Sequence, residues 1–202
     1  MSIISDEEVK KMLLKKGEVR GAAFQSIGDF ILKNKGGAGL AEVEERVRKW
    51  GADFYFSKIS PMAWYPIAWG ALFVLAAQEV FGWTEQDIRK MGANGPRVSA
   101  IVKLTFKLFS NIERLAEQIP GFWRKNYTVG EVEVTSFNKE QKEMVFRLRD
   151  CAFHPSLCQY IEGFAETTFQ LSRPKDSVMT VKETKCSFKD GIPYEEYAVS
   201  WT

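Results

Sequence analysis

From Ile59 to Gln78 the chain runs without a charge, as ISPMAWYPIAWGALFVLAAQ. A stretch of this length either crosses a membrane or has to be enclosed by protein. Pro61 and Pro66 break its first third and leave Ile67 to Ala77 as helix, the length of a buried core helix. Lys58 and Glu79 flank it with no basic cluster on either side, which is not how a membrane span is bounded. The reading is therefore an interior helix, with Pro66 at its first position, around which other elements must close. No membrane partner is expected.

The chain can supply that cover. It has 202 residues, 45% hydrophobic and 27% charged, enough for one sizeable domain. The net charge is +2, with lysines and arginines scattered among acidic neighbours, so no nucleic-acid partner is expected. Three cysteines, at 151, 158 and 186, are an odd number and do not form a secreted disulfide framework. Reduced thiols and an acidic, non-signal N-terminus point to the cytoplasm.

Two textures divide the sequence. Up to about Gln118 the apolar residues recur at helical spacing. Ser5 and Glu8 form a capping box for a first short helix. Phe24, Ile27 and Ile31 mark a second, ended by Gly36 and Gly37. Leu40, Val43, Val47 and Trp50 mark a third. Thr84 caps a helix that Gly92 should stop. Val98 to Ile119 is the longest periodic segment and carries two adjacent apolar stripes, with Pro120 and Gly121 as its terminators. After Tyr127 the pattern turns to strands. Val132 and Val134 alternate with polar residues, as do Met144, Phe146 and Leu148, around a polar turn. A helix follows Pro155, with Leu157, Ile161, Phe164 and Thr168 on one side. A second hairpin around Asp190-Gly191 closes the chain. The fold class is α+β: an N-terminal helical layer packed on a four-stranded antiparallel sheet, with the order β-β-α-β-β in the second half. Residues 1–16 read as a helical extension and 17–202 as one ligand-binding domain.

Chemistry is sparse. There is no glycine-rich phosphate loop and no Gly-x-Ser-x-Gly elbow. A histidine-dependent hydrolase would have to use His154, the sole histidine. No acid–base pair supports an enzyme. Three cysteines and one histidine are four soft ligands, the number and type that tetrahedral zinc takes. Buried cysteines equally serve as small hydrophobes. The aromatics cluster around the two most apolar helices and suit either an apolar ligand pocket or plain core.

The run PSLCQYIEGF…VKETKCSFKDGIPYEEYAVSW resembles the C-terminal signature of the 4-vinyl reductase-type small-molecule-binding domain. That family belongs to a superfamily with haem–nitric oxide sensors and subunits of the TRAPP trafficking complex. The resemblance implies a dimeric sensor domain for a small hydrophobic molecule. It also implies a zinc site at Cys158, Glu183 and Cys186. The fourth family position falls at Tyr194, which is not cysteine, so His154 or Cys151 would stand in. Strand alternation sets Glu183 and Cys186 on opposite faces unless the backbone bulges there. The haem branch is set aside, because its Tyr-x-Ser-x-Arg motif is absent and His154 precedes a helix start away from the helical layer.

The resulting expectation is a non-catalytic sensor or carrier, a homodimer, with its pocket between helices and sheet. Trp69, Phe106, Phe109 and Trp123 are the expected lining. The alternative is a protein-interaction or dimerisation module like the trafficking subunits, without a small ligand.

Overall fold

The computed structural model describes residues 3–98, 112–171 and 177–202. Ser5 and Glu8 close the capping box, the carboxylate of Glu8 accepting from the Ser5 N–H at 2.8 Å, and helix α1 follows as Asp6–Leu14. Its buried Val9 and Met12 join the same apolar cluster as the next two helices. Strand β1 (Glu18–Arg20) pairs antiparallel with β2 (Trp64–Pro66). Between them lies α2 (Ala22–Lys49). The two helices expected on either side of Gly36 are there, meeting at a kink within this span. The glycine takes φ 70°, ψ −174°, which is not helical and is open to a residue lacking Cβ, so the first helix ends there and the second starts in a new direction.

The uncharged segment forms α3 (Ile67–Phe81), with Pro66 as its N-cap and Gly82 closing it in the left-handed conformation. Every residue from Ala71 to Ala77 is buried. No described helix is long and apolar enough to cross a membrane.

Two expected helix ends are absent. Helix α4 (Glu85–Val98) is capped by Thr84 but runs through Gly92. There is no space for a side chain there: a Cβ on Gly92 would strike the backbone carbonyl of Tyr160. The glycine permits contact between helices and ends nothing. Helix α5 (Ile112–Asn126) likewise passes Pro120 and Gly121. Ile119, Phe122 and Trp123 pack against the sheet cluster, and this apolar stripe outweighs the hydrogen bond that proline removes. The expected start of this helix, with Phe106 and Phe109, lies outside the described residues.

The second half is β3 (Glu131–Asn138), β4 (Glu143–Arg149), α6 (Ser156–Leu171), β5 (Met179–Lys185), α7 (Ser187–Asp190) and β6 (Tyr194–Trp201). The strands form one antiparallel sheet in the order β3-β4-β6-β5. The α+β class and the four-stranded sheet are those expected. The last connection differs from a two-residue hairpin turn. Asp190 accepts from the Cys186 N–H at 2.7 Å, a helical turn forms, and Gly191 (φ 65°) ends it.

Helix α6 holds the rim of the sheet in an unusual way. Gln170, Glu166 and Glu162 accept from the N–H groups of Met179, Val181 and Glu183 at 2.9, 3.4 and 2.5 Å. Every fourth helical residue serves every second strand residue. The spacings match, since four helical residues rise about 6.0 Å and two strand residues about 6.6–6.8 Å. Arg89 of α4 completes the lock. It pairs with Glu162 and, at 2.7 Å, with Glu166, and it donates to the Val181 carbonyl at 3.1 Å.

Candidate functional site

Between the helical cluster and the sheet cluster lies an apolar chamber of about 240 Å³. Four helices each turn one stripe toward it. Helix α2 gives Ala23, Ser26 and Ile27, and α3 gives Ile67, Gly70, Ala71 and Val74. Helix α5 gives Ile119, Phe122, Trp123 and Asn126, and α6 gives Leu157, Ile161, Phe164 and Thr168. All four sets follow i, i+3, i+4, i+7 spacing or part of it. The sheet closes the other side with Val132, Phe146 and Leu148. Small residues on α2 and α3 hold the space open, where larger side chains would fill it.

A few polar groups interrupt this lining. The Ser26 hydroxyl donates to the Ala23 carbonyl at 2.8 Å and lies against the Tyr160 hydroxyl. Tyr127 follows α5, its ring stacked on Trp123 at 3.9 Å. Burial pushes both phenols above their ordinary range. Cys151 lines the same space, and burial pushes its thiol up to about 12. It is a neutral thiol, not a poised nucleophile.

Of the residues expected in the lining, Trp123 is there, its Nε1 donating to the Val129 and Gly130 carbonyls at 3.0 Å. Trp69 packs edge-on to Phe54 and is not among the lining residues. Tyr160 escaped notice because its neighbours Ile161 and Phe164 set the helical stripe; its position three residues after Leu157 was the available signal.

A second group lies where α6 meets the end of β5. The ligand atoms of Cys158, Glu183 and Cys186 are all within 4.8 Å of one another, and both cysteines are buried. The register of β5 on β6 slips between Glu183 and Lys185, the bulge that alternation required. Cys158 is one turn before Glu162 and continues the row that grips β5. Burial first, and then the neighbouring Glu183 carboxylate, push its thiol well above the ordinary range. Neither His154 nor Cys151 is part of this group. His154 instead accepts from the Ser156 N–H at 3.2 Å. The ring of Tyr194 is taken by the guanidinium groups of Arg147 and Arg149 at 4.6 and 5.0 Å.

With helices laid over a four-stranded sheet and a chamber between, the architecture can be compared with solved structures. Its fold is that of the H-NOX proteins. An H-NOX protein from S. oneidensis in the Fe(II)NO ligation state aligns with TM-score 0.65 and 13% identity, over 91% of this chain and 99% of that one. An oxygen-binding H-NOX domain related to soluble guanylate cyclases aligns with TM-score 0.63 and 11% identity, over 91% and 95%. The Fe(II) unliganded H-NOX protein from K. algicida aligns with TM-score 0.60 and 10% identity, over 91% and 96%. No protein-family model and no curated protein matches the sequence.

The H-NOX fold corrects the setting aside of haem. H-NOX proteins bind haem, so a missing motif and the position of His154 are not grounds for dismissing it. The same structures give no support to zinc. Haem iron is ligated by cysteine and tyrosine as well as histidine. His154 is not among the lining residues, whereas Cys151, Tyr127 and Tyr160 are. Burial holds all three neutral, and the anionic thiolate or phenolate is the form that ligates iron.

Proposed function

We propose that this chain is a non-catalytic sensor or carrier module that encloses a small, mainly apolar molecule between its helical layer and its sheet. The observation that carries the reading is the chamber itself, walled by four helical stripes and by sheet residues. Each 100 Å² of apolar ligand surface removed from water there contributes about 2.5 kcal/mol, before the cost of association. Trp123 is the aromatic anchor, and Trp69, Phe106 and Phe109 belong to the same proposal as supporting residues. Haem is one of the cargoes to test: when bound, its iron would supply the binding of a diatomic gas, and its two carboxylates would have to stay in solvent, since the described lining has no free cation.

Native mass spectrometry of the purified protein, with an absorption spectrum to detect a Soret band, tests this. A co-purified apolar molecule or haem is the expected result. Ala71→Phe, which fills the chamber, should abolish its retention with the fold intact. Protein that carries nothing and binds no apolar probe by calorimetry would overturn the reading and favour the alternative, an interaction module.

Kinship with the 4-vinyl reductase-type domain is part of the proposal, supported by the meeting of Cys158, Glu183 and Cys186. We assign these three as the residues that would hold a metal ion, whose presence elemental analysis would detect. A cytoplasmic homodimer is also proposed. The described cysteines are all free, as a reducing compartment requires. Light scattering after size exclusion measures the oligomeric state.

A further inference from the structure

We infer that Tyr127, Tyr160, Ser26 and Cys151 form the recognition point of the chamber, and that they take a neutral carbonyl or hydroxyl carried by an otherwise apolar molecule. The inference rests on the chamber being a ligand site. The four side chains come from four separate stretches of chain and all reach the same apolar space. Ser26 and Tyr160 face each other, and Tyr127 lies close enough to Tyr160 and Cys151 to feel both. The Tyr127 hydroxyl reaches the space from the residue that follows α5. Polar groups enclosed by apolar surface are nearly always hydrogen-bonded. A donor in such a space is a position for an acceptor from outside.

The charge balance sets the class of molecule. Arg20 is the one charged residue among the described lining. Its guanidinium is occupied elsewhere, donating to the Met62 carbonyl and stacked on Trp64 at 3.9 Å. Among the described lining residues an amine finds no counter-ion, and a carboxylate finds no free cation. A buried charge without a partner is strongly disfavoured. A neutral group that both accepts from a phenol and costs little to desolvate is what remains.

Calorimetric titration with naphthalene, 2-naphthol and 2-naphthoate tests this on one carbon skeleton. In the wild type, 2-naphthol should bind roughly three- to tenfold more tightly than naphthalene, the worth of one hydrogen bond, and 2-naphthoate should bind most weakly. Tyr127→Phe and Tyr160→Phe should each reduce that advantage and leave naphthalene unchanged. Equal binding of naphthalene and 2-naphthol would overturn the inference while leaving the chamber a ligand site. Tightest binding of 2-naphthoate, or an advantage that survives in both variants, would also overturn it. Binding of none of the three would remove the chamber reading and the inference with it. Should Tyr127→Phe fail to fold, the wild-type ranking and Tyr160→Phe still decide.

Discussion

At His154 a single proton alters the balance of the fold. The ring is half-buried, and burial lowers its pKa from 6.5, only partly opposed by Glu8 and the Ile3 backbone. Below pH 6.5 the unfolded chain takes up a proton that the folded chain refuses, so stability falls as pH falls through that window. Asn at this position keeps an acceptor for the Ser156 N–H and does not titrate. Melting temperatures measured from pH 7.5 down to pH 5 should therefore drop less steeply in His154→Asn than in the wild type. Gly163 makes the opposite kind of demand. A Cβ there would collide with the Arg89 carbonyl, a backbone atom that cannot step aside. Gly163→Ala should cost about 3 kcal/mol, the upper end for an added methyl group, in urea denaturation. Residues of this kind are poorly legible in sequence. Gly92 reads as a stop signal by composition, and only the neighbouring helix explains it. Glu183 and Cys186 read as facing opposite ways, and only the bulge in β5 brings them together.

At the scale of elements, the lock of α4 and α6 on β5 depends on Arg89. It satisfies two carboxylates at once, and Glu162 is among the most buried charged groups in the protein. Arg89→Met removes the cation and leaves both carboxylates uncompensated. The expected loss is about 3–5 kcal/mol, read from the urea midpoint. Strands and the faces of helices were the most legible elements. Alternation in β4 set Met144, Phe146 and Leu148 inward, and all three are buried. The side of α6 picked out by Leu157, Ile161, Phe164 and Thr168 is the one that lines the chamber. Helix ends were less legible, because proline and glycine carry local preferences that packing overrides at Pro120 and Gly92.

For the whole molecule, the proposed cargo would be linked to stability. A molecule that binds only the folded chain, at one hundred times its dissociation constant, adds about 2.7 kcal/mol. For a chain of this size that raises the melting temperature by roughly 5–10 °C. The rise should vanish in Ala71→Phe. The layered architecture could be read from the sequence because it rests on periodicity, which survives at the 10–13% identity that separates this chain from the H-NOX structures. The expectation of a pocket between helices and sheet, with Trp123 in it, came with the resemblance; most of the lining was not legible, because a hollow is a property of facing stripes from four helices, and no single stripe records it.

The row of α6 side chains that grips β5 has one more consequence. Its bonds repeat at a fixed interval, so they act as an index between helix and strand. A small slide of α6 breaks every bond in the row together, and the next position that restores two of the three is about 6 Å away, four helical residues along. The proposed cargo, pressing on the chamber side of α6, would therefore meet a detent. The helix can tilt about its grip, or jump by a whole notch, but it cannot creep.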